Sequence, residues 1–222
     1  MNSRFEFILF DMIGTTIKDS NNGVSLIIAN FTKAFSMNGF QVGYQEINHQ
    51  RGKSKKEAIE CIMKHHSSNS ALNIKIYKDF MGLLNTSIEG LAEIDGATGI
   101  FKLLKDKEIK IGLGSGLPME FMLVLIEKLG WQKDIFDYLG SSDELGKGRP
   151  DPIMILDAIE KNRLKDKSKI LKVGDTIVDI QEGKNAGVKT AGVLTGTQKK
   201  EELEKFNPDY ILNDIRELLL IL

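Results

Sequence analysis

Four short apolar runs recur along the chain, each ending in Asp, Gly or Ser: residues 5–11 (FEFILFD), 109–116 (IKIGLGSG), 170–175 (ILKVGD) and 189–196 (KTAGVLTG). A weaker fifth, DYIL, spans 209–212. Their apolar residues are continuous rather than alternating, which predicts strands buried on both faces, as in a parallel sheet. Helical patterns separate them: GATGIFKLLKDKE before the second run, PMEFMLVLIEKLG after it, DPIMILDAIEKNR before the third, IVDIQEGKNAG after that, and DIRELLLIL at the end. Strand–helix alternation predicts a doubly wound α/β domain, in which ligands bind at the carboxyl ends of the strands. Asp11, Ser115 and Asp175 fall at such ends.

Residues 18–92 break the alternation. GVSLIIANFTKAFSMNGF, SKKEAIECIMKHH and NIKIYKDFMGLLNTSIEGL all carry helical periodicity, and no strand is expected among them. A helical insertion after the first strand reads as a lid. It divides the chain into a core of residues 1–17 and 93–222 and a helical cap of residues 18–92.

Composition narrows the class. The 222 residues are 41% hydrophobic and 27% charged with a net charge of −1, so neither a nucleic-acid nor a membrane surface is expected. The single cysteine, Cys61, excludes an intrachain disulfide, fits a reducing cytosol, and reads as a small apolar residue on a helix. The first apolar run is too short for a signal peptide and ends in an acid, so a cytoplasmic location is expected. His49, His65 and His66 are too few and too badly spaced for a histidine metal site and read as surface residues.

The chemistry sits at the strand ends. The first offers Asp11 and Gly14-Thr15, the second Ser115-Gly116, the GKGRPDP stretch Lys147 and Arg149, and GDTIVD Asp175 and Asp179. Acids from separate strands can share a hard cation such as Mg²⁺. Hydroxyls and backbone N–H groups can hold phosphate oxygens, and a cation offsets the charge of substrate and aspartate together. Singly these are ordinary features: an end-capping acid, a turn serine, a solvated basic loop, a capped helix start. Their order across consecutive strand ends carries the signal.

In that order, DMIGTT, GLGSG, GRPDP and GDTIVD, together with the helical insertion, resemble the four motifs of the haloacid dehalogenase superfamily over essentially the whole chain. The resemblance implies a Rossmann-like core, Asp11 as nucleophile, Ser115 as a phosphoryl binder with Gly14, Thr15 and Gly116, and Mg²⁺ held by Asp11, the Ile13 carbonyl, Asp175 and Asp179. Arg149 matches the third-motif cation, with Lys147 as the alternative. VGDTIVDIQEGKNAGV with GRPDP is similar to the phosphonatase-like branch.

Ile13 separates the readings. In the superfamily's phosphomonoesterases the residue two after the nucleophile is usually a second aspartate that moves the proton. Phosphonatases carry a small apolar residue there, and a cap lysine forms a Schiff base that makes carbon a leaving group. Their lysine stands three residues after a glycine at the start of a cap helix, which points through Gly52 to Lys55. Lys53 and Lys56 are expected to supply the field that lowers its pKa; alternatively the basic stretch only binds an anionic substrate. Leu117 stands where phosphonatases tend to have tyrosine, and Ile13 is bulkier than their usual alanine. GKSKKEAI is nearer to a phosphonatase-like group of unsettled substrates. The expectation is a Mg²⁺-dependent hydrolase of a small phosphonate or phosphate. The alternatives are a small-molecule phosphomonoesterase of phosphoglycolate or sugar-phosphate type and a non-catalytic phospho-ligand binder. A monomer or a homodimer is expected, since the apolar VSLIIANFTKAF helix serves either the cap's own core or a partner.

Overall fold

The computed structural model describes residues 4–21, 24–67 and 69–222. The strands are β1 (Phe7–Asp11), β2 (Ser20–Asn21), β3 (Val24–Ser25), β4 (Lys110–Ser115), β5 (Tyr138–Ser141), β6 (Ile170–Gly174), β7 (Lys189–Val193) and β8 (Tyr210–Leu212). The helices are α1 (Leu26–Met37), α2 (Tyr44–Asn48), α3 (Lys55–Met63), α4 (Ser70–Ser87), α5 (Ala97–Asp106), α6 (Met119–Lys128), α7 (Ser142–Leu145), α8 (Ile153–Asn162), α9 (Ile177–Ala186) and α10 (Lys200–Glu204).

Six strands form one sheet in the order β5-β4-β1-β6-β7-β8, with every neighbouring pair parallel. β1 and β6 are buried along their whole length, as the continuous apolar runs predict. Chain order reverses direction across the sheet at β1, so the crevice for a ligand opens where β1, β4 and β6 end. The register sets Asp11 opposite Gly114, one residue before Ser115, and Phe10 opposite Val173, two residues before Asp175. Adjacent strands thereby deliver their terminal side chains to one place.

Two expectations are corrected. β5 was not anticipated: at four residues including a glycine, YLGS is too short and too weakly apolar to stand out from a loop. The stretch expected to hold no strand contains β2 and β3, which pair antiparallel, Ser20 with Ser25. Gly23, where the sequence placed the start of the first inserted helix, lies outside the described residues. The three expected helices there appear as α1, α3 and α4, and the short α2 joins them. α1 packs on α4 and α2, and α3 on α4. Phe31 and Phe80 stack between α1 and α4 with ring centroids 4.2 Å apart. The chain leaves and re-enters the sheet side by side: the Lys18 N–H donates to the Ala92 carbonyl and the Ile94 N–H to the Thr16 carbonyl, both at 2.8 Å. No helix among the described residues is long and apolar enough to cross a membrane.

Beneath the sheet, Phe101 on α5 makes edge contacts with Phe10, Trp131 and Phe136 at centroid separations of 5.6, 5.1 and 5.3 Å. Phe101 is fully buried. Phe101→Ala is expected to cost about 3–5 kcal/mol. That corresponds to a fall in Tm on the order of 10 °C. Trp131 is the sole tryptophan, so its fluorescence reports the transition.

Candidate active site

Asp11 ends β1 almost fully buried, and a tight turn follows it. The Thr15, Thr16 and Ile17 N–H groups all donate to the Met12 carbonyl, and Gly14 takes φ +99°, a left-handed conformation that glycine adopts without strain. A side chain at Gly14 would also collide with the Asp175 carboxylate, its Cβ falling 2.4 Å from Oδ2. The turn therefore presses against the neighbouring strand end. Thr15 Oγ1 donates to Asp175 Oδ1 at 3.1 Å.

Asp11, Asp175 and Asp179 each offer an oxygen, and these lie within 4.8 Å of one another. Arg149 Nη1 bridges two of them, donating to Asp11 Oδ1 at 2.6 Å and to Asp179 Oδ1. Thr176 caps α9 and its hydroxyl and N–H both donate to Asp179 Oδ2. Burial alone would raise the Asp179 carboxyl, but Arg149 and Lys172 outweigh it and hold it below the ordinary carboxylate range. Asp175 moves the other way. Burial pushes it well up, Arg51 opposes this, and the negative charges of Asp11, Asp179 and Asp19 add to the rise. Its Oδ2 is buried with no hydrogen-bond partner. An unmatched carboxylate oxygen among acids is where a divalent cation fits, and Asp11 and Asp175 have the hard oxygen donors it prefers.

Lys55 lies at the first position of α3, which Ser54 caps by accepting the Glu57 N–H at 3.2 Å. It is 8% exposed. Burial lowers its pKa to about 8, helped by the positive charges of Arg51 and Arg149 and resisted by Asp11 and Asp19. The helix N-terminus acts in the same direction as burial. The expected field from Lys53 and Lys56 is corrected: Lys53 Nζ turns to Gln50 Oε1 at 2.9 Å, and Lys56 Nζ to Asp143 at 3.2 Å. A cavity of about 20 Å³ joins Asp11, Ile13, Ser115 and Arg149 from the sheet with Arg51 and Lys55 from the helical segment. The Ser115 hydroxyl accepts the Leu117 N–H at 3.2 Å. The segment meets the sheet closely there, since a Cβ at Gly116 would fall 2.3 Å from the Lys53 carbonyl oxygen.

Lys147 is not brought to the site. Its side chain is 64% exposed and pairs with Asp151 at 3.3 Å, so the cation facing Asp11 is Arg149. The three histidines are exposed, as expected. Sequence reasoning missed Asp19, Ser25, Arg51, Lys172 and Glu182. Lys172 had a visible signal, a charge in the middle of an apolar strand.

A model of the haloacid dehalogenase-like hydrolases matches residues 8–193. The chain belongs to that family. It is 27% identical to a phosphonoacetaldehyde hydrolase of Bacillus cereus, over 92% of this chain and 83% of that protein. With a phosphonoacetaldehyde hydrolase of Vibrio campbellii it shares 30% identity, over 97% of this chain and 85% of that one. In fold it matches a phosphonoacetaldehyde hydrolase-like protein of Oleispira antarctica with a TM-score of 0.84 at 21% identity, covering 99% of this chain and 92% of that one. This haloacid dehalogenase-like hydrolase is thus an enzyme of phosphonatase or phosphatase type, which displaces the non-catalytic alternative.

Under the site, Lys172 is fully buried between Asp179 Oδ1 at 3.1 Å and Glu182 Oε2 at 3.3 Å. Burial raises the Glu182 pKa to about 7 against the pull of Lys172 and Arg149. Removing the lysine strands two buried acids, so Lys172→Met is expected to cost about 3–5 kcal/mol. A fall in Tm on the order of 10 °C follows. Adding Glu182→Gln to that variant should recover part of the loss; no recovery would mean that packing, not charge, sets the cost.

Proposed function

We propose that this hydrolase cleaves the carbon–phosphorus bond of a small carbonyl-bearing phosphonate, with Asp11 as nucleophile and Lys55 as the imine-forming amine. The observation that carries this reading is the burial of Lys55 in the same small cavity as Asp11, where Ile13 leaves no second carboxyl to move a proton. Residues 18–92 act as a cap on a core of residues 1–17 and 93–222. A cavity of about 20 Å³ holds roughly one water. Substrate entry therefore requires the cap to swing away and close again.

In this scheme the neutral Lys55 amine adds to the substrate carbonyl, loss of water gives an imine, and uptake of a proton from solvent converts it to the iminium. The Asp11 carboxylate attacks phosphorus as the carbon–phosphorus bond breaks. The bonding pair moves into the iminium and leaves as an enamine. Protonation at carbon and hydrolysis release the carbonyl product and regenerate Lys55, and water cleaves the Asp11 acyl phosphate. Ser115, Gly14, Thr15 and Gly116 hold the phosphoryl oxygens, and Arg149 leaves its pairing with Asp11 to meet them. Asp11, Asp175 and the Ile13 carbonyl would hold Mg²⁺, with Asp179 orienting the set, and the ion would offset the negative charge gathered at phosphorus.

Borohydride added during turnover of phosphonoacetaldehyde should fix the product carbons on Lys55, visible as a mass shift in the peptide. Trapping should rise with pH through an inflection near pH 8, as the depressed Lys55 pKa exposes the free amine. Asp11→Asn should lower phosphate release by at least about 10³-fold. No trapping, with Lys55→Ala still active on phosphoglycolate, would replace this reading with ester hydrolysis.

The charge state of Asp175 sets a second pH dependence. Its carboxyl holds a proton to higher pH than usual, so Mg²⁺ must displace that proton to bind. Mg²⁺ affinity measured by calorimetry should strengthen as pH rises from about 6 to about 8. The rise in Tm that Mg²⁺ produces should grow in step. In Asp175→Asn both effects should vanish; a pH-independent affinity would remove Asp175 from the metal set.

A further inference from the structure

Arg51 precedes α3 and is buried. Its Nη1 donates to Asp19 Oδ2 at 2.6 Å and to Ser25 Oγ at 3.1 Å. The Ser25 hydroxyl in turn donates to Asp19 Oδ2 at 2.6 Å, so one end of the guanidinium is fixed. The opposite edge is uncommitted. Its Nε–H is buried without a hydrogen-bond partner, and its Nη2 makes an ion pair with Asp175 Oδ2 at 3.9 Å, beyond hydrogen-bonding distance. The Nε/Nη2 edge is one that pairs side-on with a carboxylate through two parallel N–H···O bonds.

Arg51 lines the cavity with Lys55, Ile27 and Leu117, and Arg149 lines it beside Asp11 and Ser115. Two arginines thus line one small cavity. Given the phosphoryl-transfer reading of Asp11, on which this inference rests, Arg149 serves the phosphoryl end. We propose that Arg51 is a specificity-determining residue that binds a second oxyanion of the substrate, so that the preferred substrates are short carbonyl-bearing phosphonates that also carry a carboxylate. An uncharged distal group would leave the buried Nε–H unpaired. A carboxylate satisfies it, and Asp19 with Ser25 holds the fork in place while it does so.

Binding measurements test this without turnover. The probes are phosphonoacetate, ethylphosphonate and inorganic phosphate, titrated calorimetrically into the full chain with Mg²⁺ present. The wild type should bind phosphonoacetate at least about tenfold more tightly than ethylphosphonate, the scale of a charge-assisted hydrogen-bonded pair. Arg51→Met, which keeps the apolar stem, should bring that ratio below about twofold. Arg51→Lys keeps the charge without the fork and should give an intermediate ratio, and it decides the matter if Arg51→Met does not fold. Equal affinities in the wild type, or a ratio unchanged in the variants, overturn the inference. Should inorganic phosphate bind while the discrimination is absent, only Arg51's role fails. Should none of the three bind, the phosphoryl-site reading fails and takes this inference with it.

Discussion

Mutual repulsion among four buried carboxylates is the constraint on which this structure turns. Asp11, Asp19, Asp175 and Asp179 are each 5% exposed or less and gather at the carboxyl edge of the sheet. Like charges at such separations, away from water, repel strongly. Arg149 ties Asp11 to Asp179, Lys172 supports Asp179 from below, and Arg51 holds Asp19 while facing Asp175. Hydroxyls of Thr15, Thr176 and Ser25 and the N–H groups of Ile27 and Thr176 supply further donors. What these groups leave uncompensated is concentrated on one atom, Asp175 Oδ2. A divalent cation suits the site because that buried oxygen has no donor, more than because of the number of acids.

The same balance joins the sheet to the helical segment. Two of the compensating cations, Arg51 and Lys55, come from residues 51–55, and the other two from the sheet domain's loop and strand. Any movement of the helical segment changes the field at Asp11 and Asp175 together. The proposed cap closure would therefore do more than exclude water: it would complete the electrostatics of the site. The short reach between Gly116 and the Lys53 carbonyl makes this contact intolerant of an added side chain, because backbone rather than a flexible chain end stands opposite.

Much of this was legible in the sequence because it depends on local order. Continuous apolar runs ending in Asp, Ser or Gly give both the parallel sheet and the edge at which its chemistry stands. Asp11, Ser115 and Asp175 could be placed this way. Arg51, Asp19 and Ser25 could not: they lie in a segment of helices and turns, and their pairing spans up to 32 positions, which no periodicity encodes. Lys147 and Arg149 are two residues apart in one loop, and only the fold shows which of them turns inward. β5 was lost because four residues carry too little pattern to be told from a loop. Lys172 was visible as an anomaly, though its meaning depends on Glu182 one helix away.

Ile13 connects these observations. A carboxyl at that position would add a fifth acid to the set, and it would stand in the cavity that Lys55 lines. A lysine facing that extra acid would gain a partner for its ammonium form, and its pKa would rise. The apolar side chain at position 13 thus leaves in place the depressed Lys55 pKa that burial, Arg51 and Arg149 produce. In the proposed reaction the carboxylates serve the phosphoryl group, and the buried, arginine-flanked space beside them helps an amine to lose its proton. An ester hydrolase needs the reverse, a proton donor beside the leaving oxygen. On the proposed reading, residue 13 suits a leaving group activated from the Lys55 side over one protonated from the strand side.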